Sequence, residues 1–257
     1  MLTITDTQIN ALLGMFIWPF TRITGLLAVD PVYSSGAVPR TYKAGFALFL
    51  TLLLVPILPP FPAVPLVSAQ GAAMLIQQLL IGMSMGFVTR LIMAAVEMGG
   101  SLISTQMGLG FAMVFDPQNA GQTPALASIL TMFVTLIFLA LNGHQVILST
   151  LVESFRVLPV GKSVPLVTWR MLAEWGGHIF SWGLWIALPV VAALLVANLA
   201  IGVMTRAAPQ FNILSFGFPL TLSIGFIALY LSLPLMEPVL EQMYQGGFEF
   251  MLRMLKG

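Results

Sequence analysis

Hydrophobic positions gather into six apolar segments, at residues 9–29, 44–58, 69–88, 125–141, 179–203 and 211–236. A helix rises ~1.5 Å per residue, so a bilayer core takes roughly 20 residues to cross. Four of the segments are that long, whereas 44–58 and 125–141 are short and need tilt or protein surroundings. Residues 91–107 read as a further helix, less apolar than the rest. Prolines punctuate the breaks. Pro56, Pro59, Pro60, Pro62 and Pro65 stiffen the turn after the second segment, and Pro159 and Pro165 fall in the longest polar stretch, 142–178. Pro209 sits in a short connection between the last two long segments, which predicts an antiparallel hairpin. The pattern predicts an all-α chain of membrane type.

Residues 108–117 break this pattern. They read as an irregular loop, yet they are as apolar as the helices on either side. A loop in water is polar, and a loop facing lipid leaves backbone groups unpaired at a cost of several kcal/mol each, or about that. The remaining place is a cavity walled by protein, which suggests a plug or gate. Phe111, Met113 and Phe115 alternate, so an extended loop presents them on one side. Gly108, Gly110 and Gly121 let it bend, and Asp116-Pro117 stops the bend. A buried helix connection is the competing reading.

Composition agrees with the pattern. Hydrophobic residues make up 58% and charged residues 7%, with mean hydropathy +0.98, where soluble domains carry roughly 25% charged residues. With no linker of charged or low-complexity sequence, residues 1–257 read as a single domain. A net charge of +1 offers no basic stripe for nucleic acid. Cysteine is absent, which removes disulfides and thiolate sites. Residues 1–10 hold no Lys or Arg, so the first segment is expected to stay as a signal-anchor. Across six spans, five Lys/Arg (Arg156, Lys162, Arg170, Arg253, Lys256) fall on the N-terminal side and four (Arg40, Lys43, Arg90, Arg206) on the other. That bias sets no orientation: either the chain is an ordinary polytopic protein with a weak charge signal, or some segments bury against protein rather than lipid.

Small and polar residues within the apolar segments point the same way. Gly82 and Gly86 share a helix face and admit a second helix closely, as does the stripe Ala193, Ala197, Ala200. Arg22 and Asn198 are placed away from lipid, and Arg90 and Glu97 share one face two turns apart. Met83, Met85, Met93, Met98, Met107 and Met113 cluster around the loop, either as packing or as a soft seal. His144, which follows what reads as a helix end, and His178 are the only histidines, too few for a metal site on their own. Glu153 and Arg156 suit a surface pair. No phosphate loop, nucleophile elbow or catalytic constellation is present, and no cofactor is implied.

Several motifs stand out along the chain: Ser35-Gly36-Ala37-Val38-Pro39-Arg40, Gln106-Met107-Gly108-Leu109-Gly110-Phe111-Ala112 with Phe115-Asp116-Pro117, Leu141-Asn142-Gly143-His144 and Glu153-Ser154-Phe155. Arg206-Ala207-Ala208-Pro209-Gln210-Phe211-Asn212 and Gly217-Phe218-Pro219-Leu220 complete the set. Together, and in this order, they resemble the FliR family of flagellar export-gate proteins and its virulence type III secretion counterparts, with the flagellar branch favoured. The family often has Ser where this chain has Gly110. The resemblance implies a non-catalytic subunit whose membrane-type helical hairpins assemble with FliP and FliQ into a helical cone, with FlhB around its base. It implies a bacterial inner-membrane location within the basal body, partly on the periplasmic side, with unfolded flagellar subunits as cargo. The implied plug is Gln106, Met107, Gly108, Leu109, Gly110, Phe111, Ala112, Met113, Val114, Phe115, Asp116 and Pro117. Gly82, Gly86, Arg206, Pro209 and Gln210 are expected at subunit contacts, and lipid is a further partner. Two rival readings are a secondary transporter with Arg22, Arg90 and Glu97 along a pathway, and an intramembrane enzyme using His144 or His178.

Overall fold

A computed structural model describes residues 6–36, 38–109, 124–208 and 217–256. Among the described residues the chain is helix and turn, with no strand. The helices are α1 (Asp6–Val29), α2 (Arg40–Leu54), α3 (Ala69–Gln106), α4 (Ala125–Ala140), α5 (Gly143–Val157), α6 (Leu166–Trp175), α7 (His178–Ala207) and α8 (Phe218–Lys256). A 3-10 turn, Val55–Ile57, extends α2. Prolines stand at the N-caps of α2, α4 and α6 (Pro39, Pro124, Pro165), where a missing N–H costs nothing. Between α4 and α5, Asn142 takes a left-handed backbone (φ 56°), a conformation that Asn tolerates better than most residues.

Among the described residues, five helical stretches are long and apolar enough to cross a membrane, and α4 with α5 makes up to a sixth if the broken pair is one span. The short second segment reaches this length because it begins at Arg40 and runs through the 3-10 turn to Ile57. Two sequence expectations need correction. Residues 69–88 and 91–107 are not separate helices: α3 is one helix of 38 residues. The last apolar segment does not stop at 236 either, since α8 continues to Lys256 through Pro234 and Pro238. The hairpin connection at Pro209 lies outside the described residues.

The chain divides into two compact units, one of Met1–Leu91, Asn142–Gly176 and Tyr244–Gly257, the other of Ile92–Leu141 and Gly177–Met243. In the first, Trp18, Ile23 and Leu26 of α1 bury with Ile81, Met85 and Val88 of α3 and with Leu151 and Phe155 of α5. The end of α8 belongs to this unit: Thr168 Oγ1 donates to the Met254 carbonyl at 2.7 Å, and Trp175 stacks on Phe250 at 4.0 Å. In the second, Ile92, Val96 and Ile103 of α3 bury with Leu130, Val134 and Phe138 of α4 and with Val190 and Leu194 of α7.

Glycines set the closest approaches. The helix that Gly82 and Gly86 admit is α1 of the same chain: a Cβ on Gly82 would run into the Arg22 carbonyl, and one on Gly86 would come 2.7 Å from the Leu26 carbonyl. In the second unit Gly99 and Gly183 play this part for α3 and α7, each with a backbone carbonyl 2.9 Å from its Cβ position. Because the obstacle at Gly82 is backbone, which cannot step aside as a side chain can, Gly82→Ala is expected to cost about 2 kcal/mol, within the overpacking range. A thermal-unfolding midpoint equal to that of the parent protein would show that the two helices separate without penalty.

Candidate functional site

The root of the expected plug is well defined. Gly108 N–H donates to the Thr105 carbonyl at 3.1 Å and Leu109 N–H to the Ser104 carbonyl at 3.0 Å, the paired bonds of a Schellman cap. Gly108 occupies the left-handed position of that cap, with φ +81°. Met107 is fully buried, and a Cβ on Gly225 of α8 would come 2.6 Å from its Cγ. Phe218 lies 3.3 Å from the Cβ position of Gly108. Gln106, Met107, Gly108 and Leu109 therefore end α3 at a fixed point beside α8. Gly110, Phe111, Ala112, Met113, Val114, Phe115, Asp116 and Pro117 lie outside the described residues, as do Pro209 and Gln210. Arg206 is exposed in the last turn of α7, where a cation suits the helix dipole. Gly108→Ala puts a side chain into the left-handed region and is expected to cost about 1 kcal/mol, read as a lower melting temperature with assembly retained.

A second cluster centres on Arg22, which is fully buried. Its Nε donates to Gln78 Oε1 at 2.8 Å, Nη1 to Ser154 Oγ at 3.1 Å and Nη2 to the Leu158 carbonyl at 3.0 Å. The guanidinium stacks over the Phe155 ring at 4.1 Å. Its acceptors are neutral, so among the described residues the charge is held by dipoles and a ring face rather than by a carboxylate. The arrangement ties α1 to α3, to α5 and to the turn after α5.

Sequence reading missed a third group, Asp30. It is fully buried just past the end of α1. Its Oδ1 accepts from the N–H groups of Val32 (3.0 Å) and Tyr33 (3.2 Å), and its Oδ2 lies 2.6 Å from Thr89 Oγ1. Thr89 Oγ1 is also 2.8 Å from the Gly86 carbonyl. One hydroxyl proton serves one acceptor at a time: Thr89 donates to the Asp30 carboxylate, whereas a protonated Asp30 donates to Thr89 and frees Thr89 to donate to Gly86. Burial pushes the Asp30 carboxyl up, against the lowering effect of its hydrogen bonds. Burial, then the charge of Asp30, pushes the Tyr33 phenol up to about 12. A carboxyl raised in the folded state gives stability that is complete below its unfolded pKa and is lost as pH rises through the folded one. Asp30→Asn reproduces the neutral pattern, its Nδ2 donating to Thr89. The variant is expected to lose this part of the decline with rising pH, checked by melting curves across the acid-to-neutral range.

The groups of the transporter reading are not alike: Arg22 is buried and already bonded, while Arg90 and Glu97 are exposed. Of the histidines, His144 lies in the first turn of α5 rather than at the end of the helix before it, a place where the dipole does not favour a cation. Its Nδ1 is enclosed without a partner among the described residues, and its carbonyl is 3.4 Å from the Tyr33 hydroxyl. His178 packs against Trp182 at 4.8 Å. Among the described residues no three His, Cys, Asp or Glu side chains are grouped to hold a metal. Glu153 and Arg156 form the expected exposed pair, at 3.3 Å.

Residues 13–247 match the family described as bacterial export proteins, family 1. The chain belongs to that family. It is 38% identical over 257 residues to the flagellar biosynthetic protein FliR of Pectobacterium carotovorum subsp. carotovorum, covering 99% of this chain and 98% of the relative. It is also 38% identical to FliR of Escherichia coli (strain K12), covering 98% and 96%. FliR of Bacillus subtilis (strain 168) is 28% identical over 244 residues, covering 93% and 94%. The motifs that carry the FliR resemblance fall at junctions of this export-family fold. Arg40 opens α2, Asn142 and Gly143 make the α4–α5 break, and Gly108 caps α3. Ser154 and Phe155 hold Arg22, and Phe218 opens α8 against Gly108.

Proposed function

We propose that the chain is a non-catalytic core subunit of the flagellar type III protein export gate, supplying part of the wall and the plug of a protein-conducting pore. The observation that carries this reading is the family match across nearly the whole chain, with relatives named flagellar biosynthetic proteins. Surface chemistry supports it: Trp185 and Leu199 of α7 are 69% and 72% exposed in the isolated chain, and an apolar surface of this kind suits both lipid and partner helices. FliP and FliQ are the proposed partners in a helical cone, with FlhB around the base. The proposed location is the bacterial inner membrane within the flagellar basal body, partly on the periplasmic side. Flagellar subunits pass through as unfolded cargo.

In this reading Phe111, Met113, Val114 and Phe115 form the seal, and Asp116-Pro117 ends it. The capped end of α3 at Gly108 holds the near end of the loop still. Arg206, Pro209 and Gln210 face neighbouring subunits, whereas Gly82 and Gly86 serve α1 of the same chain. Energy for transport comes from other components, since the sequence holds no nucleotide motif. The test is the mass and composition of the assembly extracted gently with a tag on this chain, from cells that carry its neighbouring genes. A stable complex with two other small apolar proteins supports the gate. A lone monomer or homodimer overturns it.

A further inference from the structure

A cavity of about 340 Å³ opens between α1 and α2. Leu27, Ala28, Ala44 and Ala47 make its wall largely apolar. Arg40, Lys43 and Ser34 also line it. Lys43 Nζ donates to the Ser34 carbonyl at 2.8 Å, which leaves two of its protons for another acceptor. Arg40 is exposed, and among the described residues neither cation pairs with a carboxylate. Both stand in the first turn of α2, which has no acidic residue and no side-chain cap, so the helix dipole adds to their charge. Thr24 also borders the cavity, its hydroxyl oxygen enclosed and without a partner among the described residues.

The position of this charge along α2 identifies its counterpart. Arg40 begins a stretch, Arg40–Ile57, long and apolar enough to span a bilayer. Tyr42, in the same turn, is 71% exposed, and beyond it Leu48, Phe49, Leu52 and Leu53 present an exposed apolar face. A collar of cations and tyrosine above an apolar flank is the sequence of chemistries from headgroup to acyl chain. We propose that the cavity binds an anionic phospholipid, with its phosphate on Arg40 and Lys43 and its upper chain against Ala28 and Ala44, the exposed part of the apolar wall. A free phosphate would meet the charge but leave the apolar wall uncovered. An acidic side chain of a partner protein has the same shortfall.

The test uses the complex containing this chain, reconstituted in nanodiscs of phosphatidylcholine with a minor share of phosphatidylglycerol, with retained lipid counted by native mass spectrometry. Phosphatidylglycerol is expected to be retained in preference. Arg40→Gln leaves the Lys43–Ser34 bond intact and is expected to lower retention about fivefold, and Arg40→Gln with Lys43→Gln about thirtyfold. Arg253→Gln with Lys256→Gln, a second exposed cationic pair, is expected to leave it unchanged. Equal loss in that control would mean general surface attraction and overturn the site. Displacement by inorganic phosphate would overturn it in favour of a free-anion site, and loss of a protein subunit with lipid retention unchanged in favour of an acidic partner.

Discussion

Arg22→Ala is expected to abolish accumulation of the protein. The substitution removes a fully buried guanidinium and leaves Gln78 Oε1 and the Leu158 carbonyl enclosed without a donor. Each unsatisfied buried acceptor costs about 1–3 kcal/mol, and the empty volume above Phe155 adds a cavity term. A total of about 4 kcal/mol is a large share of the roughly 5–15 kcal/mol that holds a folded protein together. Arg22→Lys keeps the charge but cannot reach three acceptors on three elements at once, so it should recover only part of the loss. The informative variant is Arg22→Met combined with Gln78→Leu. Replacing a buried polar pair with apolar groups of similar volume is often neutral, whereas removing one partner is not. The double variant should therefore be more stable than Arg22→Met alone, measured as protein level in membranes and as melting temperature in detergent. Additive losses would mean that the two side chains do not depend on each other.

What could be read in advance followed from the range of the interactions involved. The apolar segments were legible because burial and lipid exposure both select the same residues over a length of helix. Their ends were less so. The last apolar segment ends at 236, yet α8 runs on through Pro234 and Pro238, as α1 passes Pro19 and α7 passes Pro189. Helices in an apolar setting tolerate proline when neighbours satisfy the freed carbonyl. The apolar pattern breaks between residues 88 and 91, yet no glycine or proline stands there, and Arg90 simply points outward while Thr89 turns in to Asp30. Gly82 and Gly86 announced a close helix but not which one, since their partner α1 is some 60 residues earlier in sequence. Arg22 was marked as unlike its neighbours, but its acceptors lie 56, 132 and 136 residues away. Asp30 gave no signal at all: an acid just past a span reads as a surface residue, and only the fold encloses it.

Removing the seal while keeping its root is expected to make the closed gate leak ions. The described end of α3 tells where to cut. Deleting residues 108–115 would remove the cap glycine and Leu109 along with the apolar tip, so a failure to assemble could arise from an unravelled helix end. Deleting 110–115 instead leaves Gly108 in its left-handed position, Leu109 bonded to Ser104, and Met107 packed against Gly225. The loss is then confined to Phe111, Met113, Val114 and Phe115, the side chains proposed to close the pore. The expected result is a complex of normal composition whose conductance in a planar bilayer, without cargo, rises well above background. Gly108→Ala, which weakens the root but keeps the seal, should leave conductance low. If the shortened loop instead lowers assembly while conductance stays at background, the apolar stretch is a buried connection between helices, and the closure of the pore belongs to another subunit.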